Sequence, residues 1–249
     1  MSKVKICGLV RTEDAGAANY AMPDYAGFVF APGRRQIDAA AACRLRDKLD
    51  PRIISVGVFV NKSIESVVEI YKNMIIGIVQ LHGDEDAGYI AKLKDACGCL
   101  VIKAVGVGGE GWTAPSRRRN AGDKTAPWVS EGAVAAQSCN TAPSRVSTAS
   151  PPSAPDYLLF DAVSAWRGGA GVKFDWNVLA GYRGPPYFLA GGLTCENVGA
   201  AVSLLNPYCV DASSGVETGG YKDAAKIMEF VGIVRRTPGG EYIRKDNQL

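Results

Sequence analysis

The sequence predicts an α/β fold, a closed (β/α)8 barrel of the TIM-barrel class in a single domain spanning residues 1–249. Three observations lead there. Short apolar runs alternate with segments of helical spacing, the order that builds a parallel sheet with helices packed on it. The runs are apolar almost without interruption, as strands buried on both faces are. Eight such units fit a chain of 249 residues, about the length of one barrel, and 47% hydrophobic residues are enough to fill a large core. An open doubly wound sheet uses the same units, but eight in succession within one domain's length favour closure.

Taken in order, Val4-Lys5-Ile6-Cys7-Gly8 is the first strand, closed by glycine, and Thr12 is placed to cap a helix over residues 13–20 with acidic residues in its first turn. Residues 26–30 form the second strand, ended by Pro32-Gly33, and Asp38 opens an alanine-rich helix to residue 49. Residues 53–60 form the third strand, with Ser63 capping a helix through residue 74. Residues 75–81 form the fourth and run into His82-Gly83-Asp84, before a helix over 85–96. The fifth strand covers 99–105 and the sixth 157–161, ending on Asp161, with a short helix at 175–180. The seventh covers 186–190 and meets Gly191-Gly192-Leu193, after which Thr194 caps a helix over 195–205. The eighth covers 208–212 and meets Ser213-Ser214-Gly215, and a final helix covers 221–236.

Residues 106–155 break the rhythm. They are dominated by Gly, Ala, Ser, Thr, Pro and Asn, carry Arg117-Arg118-Arg119, and have no sustained period. Their flanks pair well as strands five and six, so the reading is a mobile low-complexity insertion in place of the fifth helix. The arginine run reads as a solvated patch.

The net charge of +3 is too small to argue for nucleic acid and is compatible with an anionic small molecule. No apolar run reaches the length of a membrane span, and no secretory opening is present, so no membrane partner is expected. Seven irregularly spaced cysteines read as reduced thiols of a cytoplasmic protein. Cys97-Gly98-Cys99 lacks a second pair or nearby histidines and is not read as a zinc site.

Barrels of this kind gather chemistry at the C-terminal ends of their strands. Those ends are Cys7, Arg34 and Arg35, Asn61, His82, Lys103, Asp161, Gly191-Gly192, and Asp211 with Ser213-Ser214. A thiol, a basic pair, the only histidine and two carboxylates thus converge on one mouth. The glycine-rich turns after strands seven and eight let backbone N–H groups approach an anion, the usual phosphate position of such barrels.

Several segments together carry a family resemblance. They are Val4-Lys-Ile-Cys7-Gly-Leu9, Gly27-Phe-Val-Phe-Ala-Pro32, Val56-Gly-Val-Phe-Val-Asn61, Val79-Gln-Leu-His82-Gly-Asp-Glu85, Leu159-Phe-Asp161, Gly168-Gly-Ala-Gly171 with Phe174-Asp-Trp176, Leu189-Ala-Gly-Gly-Leu-Thr194, and Val210-Asp211-Ala-Ser-Ser-Gly-Val-Glu217. In this order they resemble phosphoribosylanthranilate isomerase. The resemblance implies an Amadori rearrangement in tryptophan biosynthesis, run without metal or organic cofactor, on a small phosphorylated substrate, by a monomer or homodimer. It places the general base on Cys7 and the general acid on Asp161. It puts the anthranilate carboxylate on Arg35, with Arg34 as the alternative, and lines the substrate with His82, Asp211 and Gly169. The phosphate falls on Gly191, Gly192, Ser213 and Ser214.

The chemistry asks for a proton delivered to the ring oxygen and another removed from C2, so Cys7 needs a lowered pKa and Asp161 must keep its proton near neutrality. Ala170 and Val172-Lys173 depart from the family pattern, and residues 162–167 are longer than in many relatives. Two rivals remain. One is another phosphosugar barrel, which for a synthase would use a lysine such as Lys103. The other is a silent barrel kept as a binding scaffold, against which Cys7 and Asp161 both speak.

Overall fold

The computed structural model describes residues 1–107, 153–162 and 174–239. Eight parallel strands close into a barrel in sequence order. They are β1 (Lys3–Cys7), β2 (Tyr25–Val29), β3 (Ile54–Phe59), β4 (Ile78–Leu81), β5 (Leu100–Val107), β6 (Tyr157–Ala162), β7 (Tyr187–Leu189) and β8 (Cys209–Ala212). The helices are α1 (Thr12–Ala21), α2 (Ala39–Lys48), α3 (Ile64–Lys72), α4 (Ala87–Cys97), α5 (Val198–Leu205) and α6 (Ala224–Arg236). A 3-10 turn at Trp176–Leu179 lies where a short helix was predicted. The closed barrel predicted from the alternation is therefore the fold. The segment predicted to replace the fifth helix falls almost wholly outside the described residues, as do Arg117, Arg118, Arg119 and the loop carrying Gly169.

The side-chain period of a strand is two, so one inward residue fixes the facing of its whole strand. Tyr25, Val56, Ile78, Ile102, Leu159, Phe188 and Cys209 make one buried cluster that fills the barrel interior. A larger cluster between sheet and helices takes the alternate positions, among them Val4, Ile6, Phe28, Val79, Leu81, Val101, Leu158, Phe160, Leu189 and Val210. Stepping two residues on from each interior residue gives Gly27, Val58, Gln80, Ala104, Asp161, Ala190 and Asp211. On β1 the register pairs Lys5 with both Tyr25 and Asp211, so Lys5 and Cys7 also face inward.

Four helix starts differ from the predicted boundaries. Thr12 is not the cap of α1. Asp14 reaches back instead, accepting from the Val10 and Arg11 N–H groups at 2.9 and 3.0 Å. Helix α4 begins after Asp86, which accepts from the Tyr89 N–H at 2.7 Å, so Glu85 lies outside it. Helix α5 begins at Val198, because the Asn197 side chain closes a turn on Thr194 N–H (2.9 Å) before the helix starts. Helix α6 begins at Ala224 under an Asp223 cap, and Tyr221 is not helical. Residues 217–222 form a hairpin instead, β9 (Glu217–Thr218) with β10 (Tyr221–Lys222), turning through Gly219 and Gly220 at φ of 58° and 86°. Asp38 and Ser63 cap α2 and α3 as predicted.

Candidate active site

The mouth of the barrel is built on the inward positions just derived. Cys7 ends β1 and is 9% exposed. Its β2 partner is Gly27, where an added Cβ would stand 2.7 Å from the Cys7 Sγ. Glycine at that position makes the space the thiol occupies. One turn of pleat below, the fully buried Lys5 ammonium donates to Asp211 Oδ2 at 2.7 Å. Asp211 Oδ1 has no hydrogen-bond partner among the described residues.

These neighbours set the protonation behaviour. Burial pushes the Cys7 thiol above its ordinary value; Lys5 pulls it down, and Asp211 opposes Lys5. Desolvation outweighs the lysine, so the thiol is raised rather than lowered as the base role asks. Burial alone would lower the pKa of Lys5, but the Asp211 carboxylate and Cys7 beside it raise it, so the ammonium stays charged in the interior.

Asp161 ends the inward face of β6, three strands from β1 around the ring, so it faces Cys7 across the mouth. Its Oδ1 accepts from the Ala162 N–H at 2.9 Å, and its Oδ2 lies 3.5 Å from His82 Nε2. The Gln80 carboxamide nitrogen sits 3.1 Å from His82 Nδ1 and holds the ring with Nε2 towards Asp161. Gly191, at φ 85°, passes so near that an added Cβ would lie 3.3 Å from Asp161 Oδ1.

The turns after β7 and β8 lie against each other. Gly191 and Gly192 both have positive φ, and an added Cβ on Gly215 would drive into the Leu193 carbonyl oxygen. Ser213 Oγ donates to the Cys7 carbonyl at 2.9 Å, tying the β8 turn to the end of β1. All four residues expected to meet phosphate, Gly191, Gly192, Ser213 and Ser214, are on this double turn.

Arg34 and Arg35 reach the same rim from the loop after β2. Both bind Glu217 in β9: Arg35 through Nε (2.7 Å) and Nη2 (3.0 Å), Arg34 through Nη2 (2.6 Å). Lys222 adds a third cation at 2.6 Å. Burial opposes ionisation of Glu217, but Arg35, Lys222 and Arg34 outweigh it and hold the carboxyl at about 2. Gly8, at φ 83°, leaves room for the Arg35 stem, since a side chain there would meet Arg35 Cδ.

Two predicted mouth residues are elsewhere. Lys103 follows the inward Ile102 and so faces outward, where it binds Glu85 Oε2 at 2.9 Å and the Gly83 carbonyl at 2.7 Å. This removes the lysine that the rival synthase reading needed. Asn61 closes the same outer turn, its N–H donating to Glu85 Oε1 at 2.7 Å. Conversely, Lys5, Glu217 and Lys222 belong to the site and were not singled out from sequence. The signal for Lys5 was present: a lysine inside an apolar strand is rare unless paired.

The family model described as N-(5'-phosphoribosyl)anthranilate (PRA) isomerase matches residues 4–122 and 126–232. The chain belongs to that family. An N-(5'-phosphoribosyl)anthranilate isomerase of Endomicrobium trichonymphae is 43% identical over 236 residues, covering 94% of this chain and 99% of the relative. The corresponding protein of Acetivibrio thermocellus is 41% identical over 245 residues, covering 96% and 99%. Among solved structures, phosphoribosyl anthranilate isomerase from Thermotoga maritima superposes with a TM-score of 0.70 at 30% identity, covering 94% of this chain and 99% of that one. A phosphoribosyl anthranilate isomerase in complex with reduced 1-(o-carboxyphenylamino)-1-deoxyribulose 5-phosphate superposes with a TM-score of 0.67 at 28% identity. The chain is accordingly an isomerase of tryptophan biosynthesis, acting on N-(5-phosphoribosyl)anthranilate. Among the described residues no helix is long and apolar enough to cross a membrane.

Proposed function

We propose that the isomerisation runs on Cys7 as general base and Asp161 as general acid, with the sugar held between β1 and β6. Asp161 gives its proton to the ring oxygen as the C1–O bond breaks, and the anilino nitrogen lone pair forms the iminium. Cys7, as thiolate, removes the C2 proton, and the C–H electrons become the C1=C2 bond that neutralises the iminium. C1 then takes a proton and the C2 hydroxyl gives up its own, so the enol becomes the ketone. The single observation that carries this assignment is facing: the thiol and the carboxylate are both on inward positions at the ends of strands three apart in the ring.

Two features supply the thiolate in spite of burial. The Lys5 ammonium lies beneath Cys7, and the iminium develops on C1, the carbon next to the one that loses its proton, so both charges favour the anion. His82 lies 3.5 Å from Asp161 and lines the sugar beside it. Asp211 Oδ1, the unpartnered oxygen of the ion pair, accepts from a substrate hydroxyl. The phosphate rests on Gly191, Gly192, Ser213 and Ser214, and Arg35 meets the anthranilate carboxylate. Gly169 belongs to the same lining. The protein works as a monomer or homodimer in the cytoplasm on this one small molecule; a dimeric phosphoribosylanthranilate isomerase is known from Thermotoga maritima.

The test is steady-state turnover followed by loss of the substrate's anthranilate fluorescence. Cys7→Ser and Asp161→Asn should each lower kcat about 10²–10⁴-fold with little change in KM. A Cys7→Ser variant with near-parent kcat would remove the thiol from the mechanism and make Asp211 the next base to examine.

A further inference from the structure

Glu217 carries more of the rim than its place in a short hairpin requires. Its side chain is 6% exposed, yet three cations converge on it. Arg35 meets it with two nitrogens, Nε and Nη2, a fork that fixes the plane of the guanidinium and leaves Nη1 to point elsewhere. Arg34 Nη1 donates to the Gly220 carbonyl at 2.5 Å, holding the hairpin turn against the same arginine pair. Lys222 spans from Glu217 to the Ser213 carbonyl at 3.0 Å, so the carboxylate is joined through one lysine to the β8 turn. Lys226 fixes the Glu217 backbone, donating to its carbonyl at 2.8 Å.

The charges do not balance. Arg34, Arg35 and Lys222 bring three positive charges to one negative one, which leaves the cluster short of anions. A ligand carboxylate placed on the free edge of Arg35 would reduce that excess. Without Glu217, the three cations would repel one another, and among the described residues no other hydrogen bond holds the Arg35 guanidinium, whose stem crosses Gly8 at the end of β1.

We propose that Glu217 is a positioning residue that sets substrate specificity: it aims Arg35 at the aromatic carboxylate and, through Lys222, fixes that carboxylate site relative to the phosphate turn. The inference rests on the reading that Arg35 holds the anthranilate carboxylate. A purely structural Glu217 would affect all substrates alike, whereas a positioning Glu217 affects only those that carry the carboxylate.

The experiment measures kcat/KM on two substrates, the natural one and the same phosphoribosyl amine carrying aniline in place of anthranilate, with products separated by chromatography. The parent should prefer the carboxylated substrate. Arg35→Ala and Glu217→Gln should both erase about ten- to hundred-fold of that preference, chiefly through KM on the carboxylated substrate, the size of one charge-assisted hydrogen bond. Glu217→Asp, which keeps the charge but withdraws the fork by one methylene, should also reduce the preference and serves if Glu217→Gln fails to fold. If Arg35→Ala erases the preference and neither Glu217 variant does, the positioning role is wrong and the carboxylate reading stands. If Arg35→Ala leaves the preference intact, the carboxylate reading fails and takes the proposal with it. An equal loss on both substrates in the Glu217 variants makes the residue structural only and also overturns it.

Discussion

Replacing Lys5 by methionine isolates the energetics of the barrel interior. The two side chains have similar length and volume, so packing is nearly conserved while the ammonium is lost. Lys5 is fully buried, and its nitrogen lies 2.7 Å from Asp211 Oδ2. Because Asp211 Oδ1 already has no partner among the described residues, the variant leaves a buried carboxylate with neither oxygen bonded to a protein donor that the structure shows. Breaking a buried pair from one side costs about 3–5 kcal/mol. For a chain of this size that corresponds to a fall in Tm of roughly 6–20 °C. Urea denaturation at neutral pH measures it directly, and a double-mutant cycle with Asp211→Leu completes it. The double variant should recover most of the loss, because two apolar side chains need no counter-charge. The sign of the pH dependence is also fixed. A buried carboxylate without its ammonium favours the protonated folded form, so the gap between variant and parent should narrow as the pH falls. A loss below about 1 kcal/mol, the range of exposed pairs, would refute the reasoning.

Three further outcomes follow from other contacts. Gly27→Ala puts a Cβ 2.7 Å from Cys7 Sγ and 3.0 Å from its Cα; it should destabilise by about 1–3 kcal/mol, as overpacking does, and lower kcat more than phosphate affinity, read by parallel melts and kinetics. Gly215→Ala, whose Cβ would meet the Leu193 carbonyl, should separate the two phosphate turns and weaken inorganic phosphate as a competitive inhibitor, with kcat nearly kept. Glu217 is held at about 2 in the folded protein against an ordinary value of 4.5; a depressed carboxyl stabilises above its unfolded pKa and loses that as pH falls through the folded one, so parent stability should drop between about pH 4.5 and 2 more steeply than that of Glu217→Gln. Urea melts at a series of acid pH values give both slopes, and identical slopes would contradict the cluster.

The strands were legible because a strand buried on both faces is a run of apolar residues, and their alternation with helices gave the closed barrel. Facing was not legible in the same way. A continuously apolar run carries no period-two mark, so Lys103 was counted in the mouth although it follows Ile102 and points outward to Glu85. The same blindness passed over Lys5, whose partner lies 206 residues away on the last strand. Helix starts at 85, 195 and 221 were set too early because a polar residue before a helix is ambiguous. Glu85, at one such start, is taken by Lys103, Asn61 and Gly83 rather than by a helix. The strand-end residues Cys7, His82, Asp161 and Asp211 were readable as a group because a parallel barrel leaves only one face for them. Glu217 and Lys222 were hidden in a hairpin too short to leave a pattern.

The pairing of β1 with β8 has a consequence for how the chain is made. Lys3 to Ile6 must wait for Cys209 to Ala212 before their second edge is covered. At typical synthesis rates about 200 residues take on the order of 10–40 s to emerge. Throughout that interval the first strand offers an open edge, the kind that recruits strands from neighbouring chains. Lys5, like Lys3 two residues before it, is then hydrated and charged on that edge, where both discourage such pairing. When Asp211 arrives, the charge of Lys5 becomes half of the seam that closes the ring.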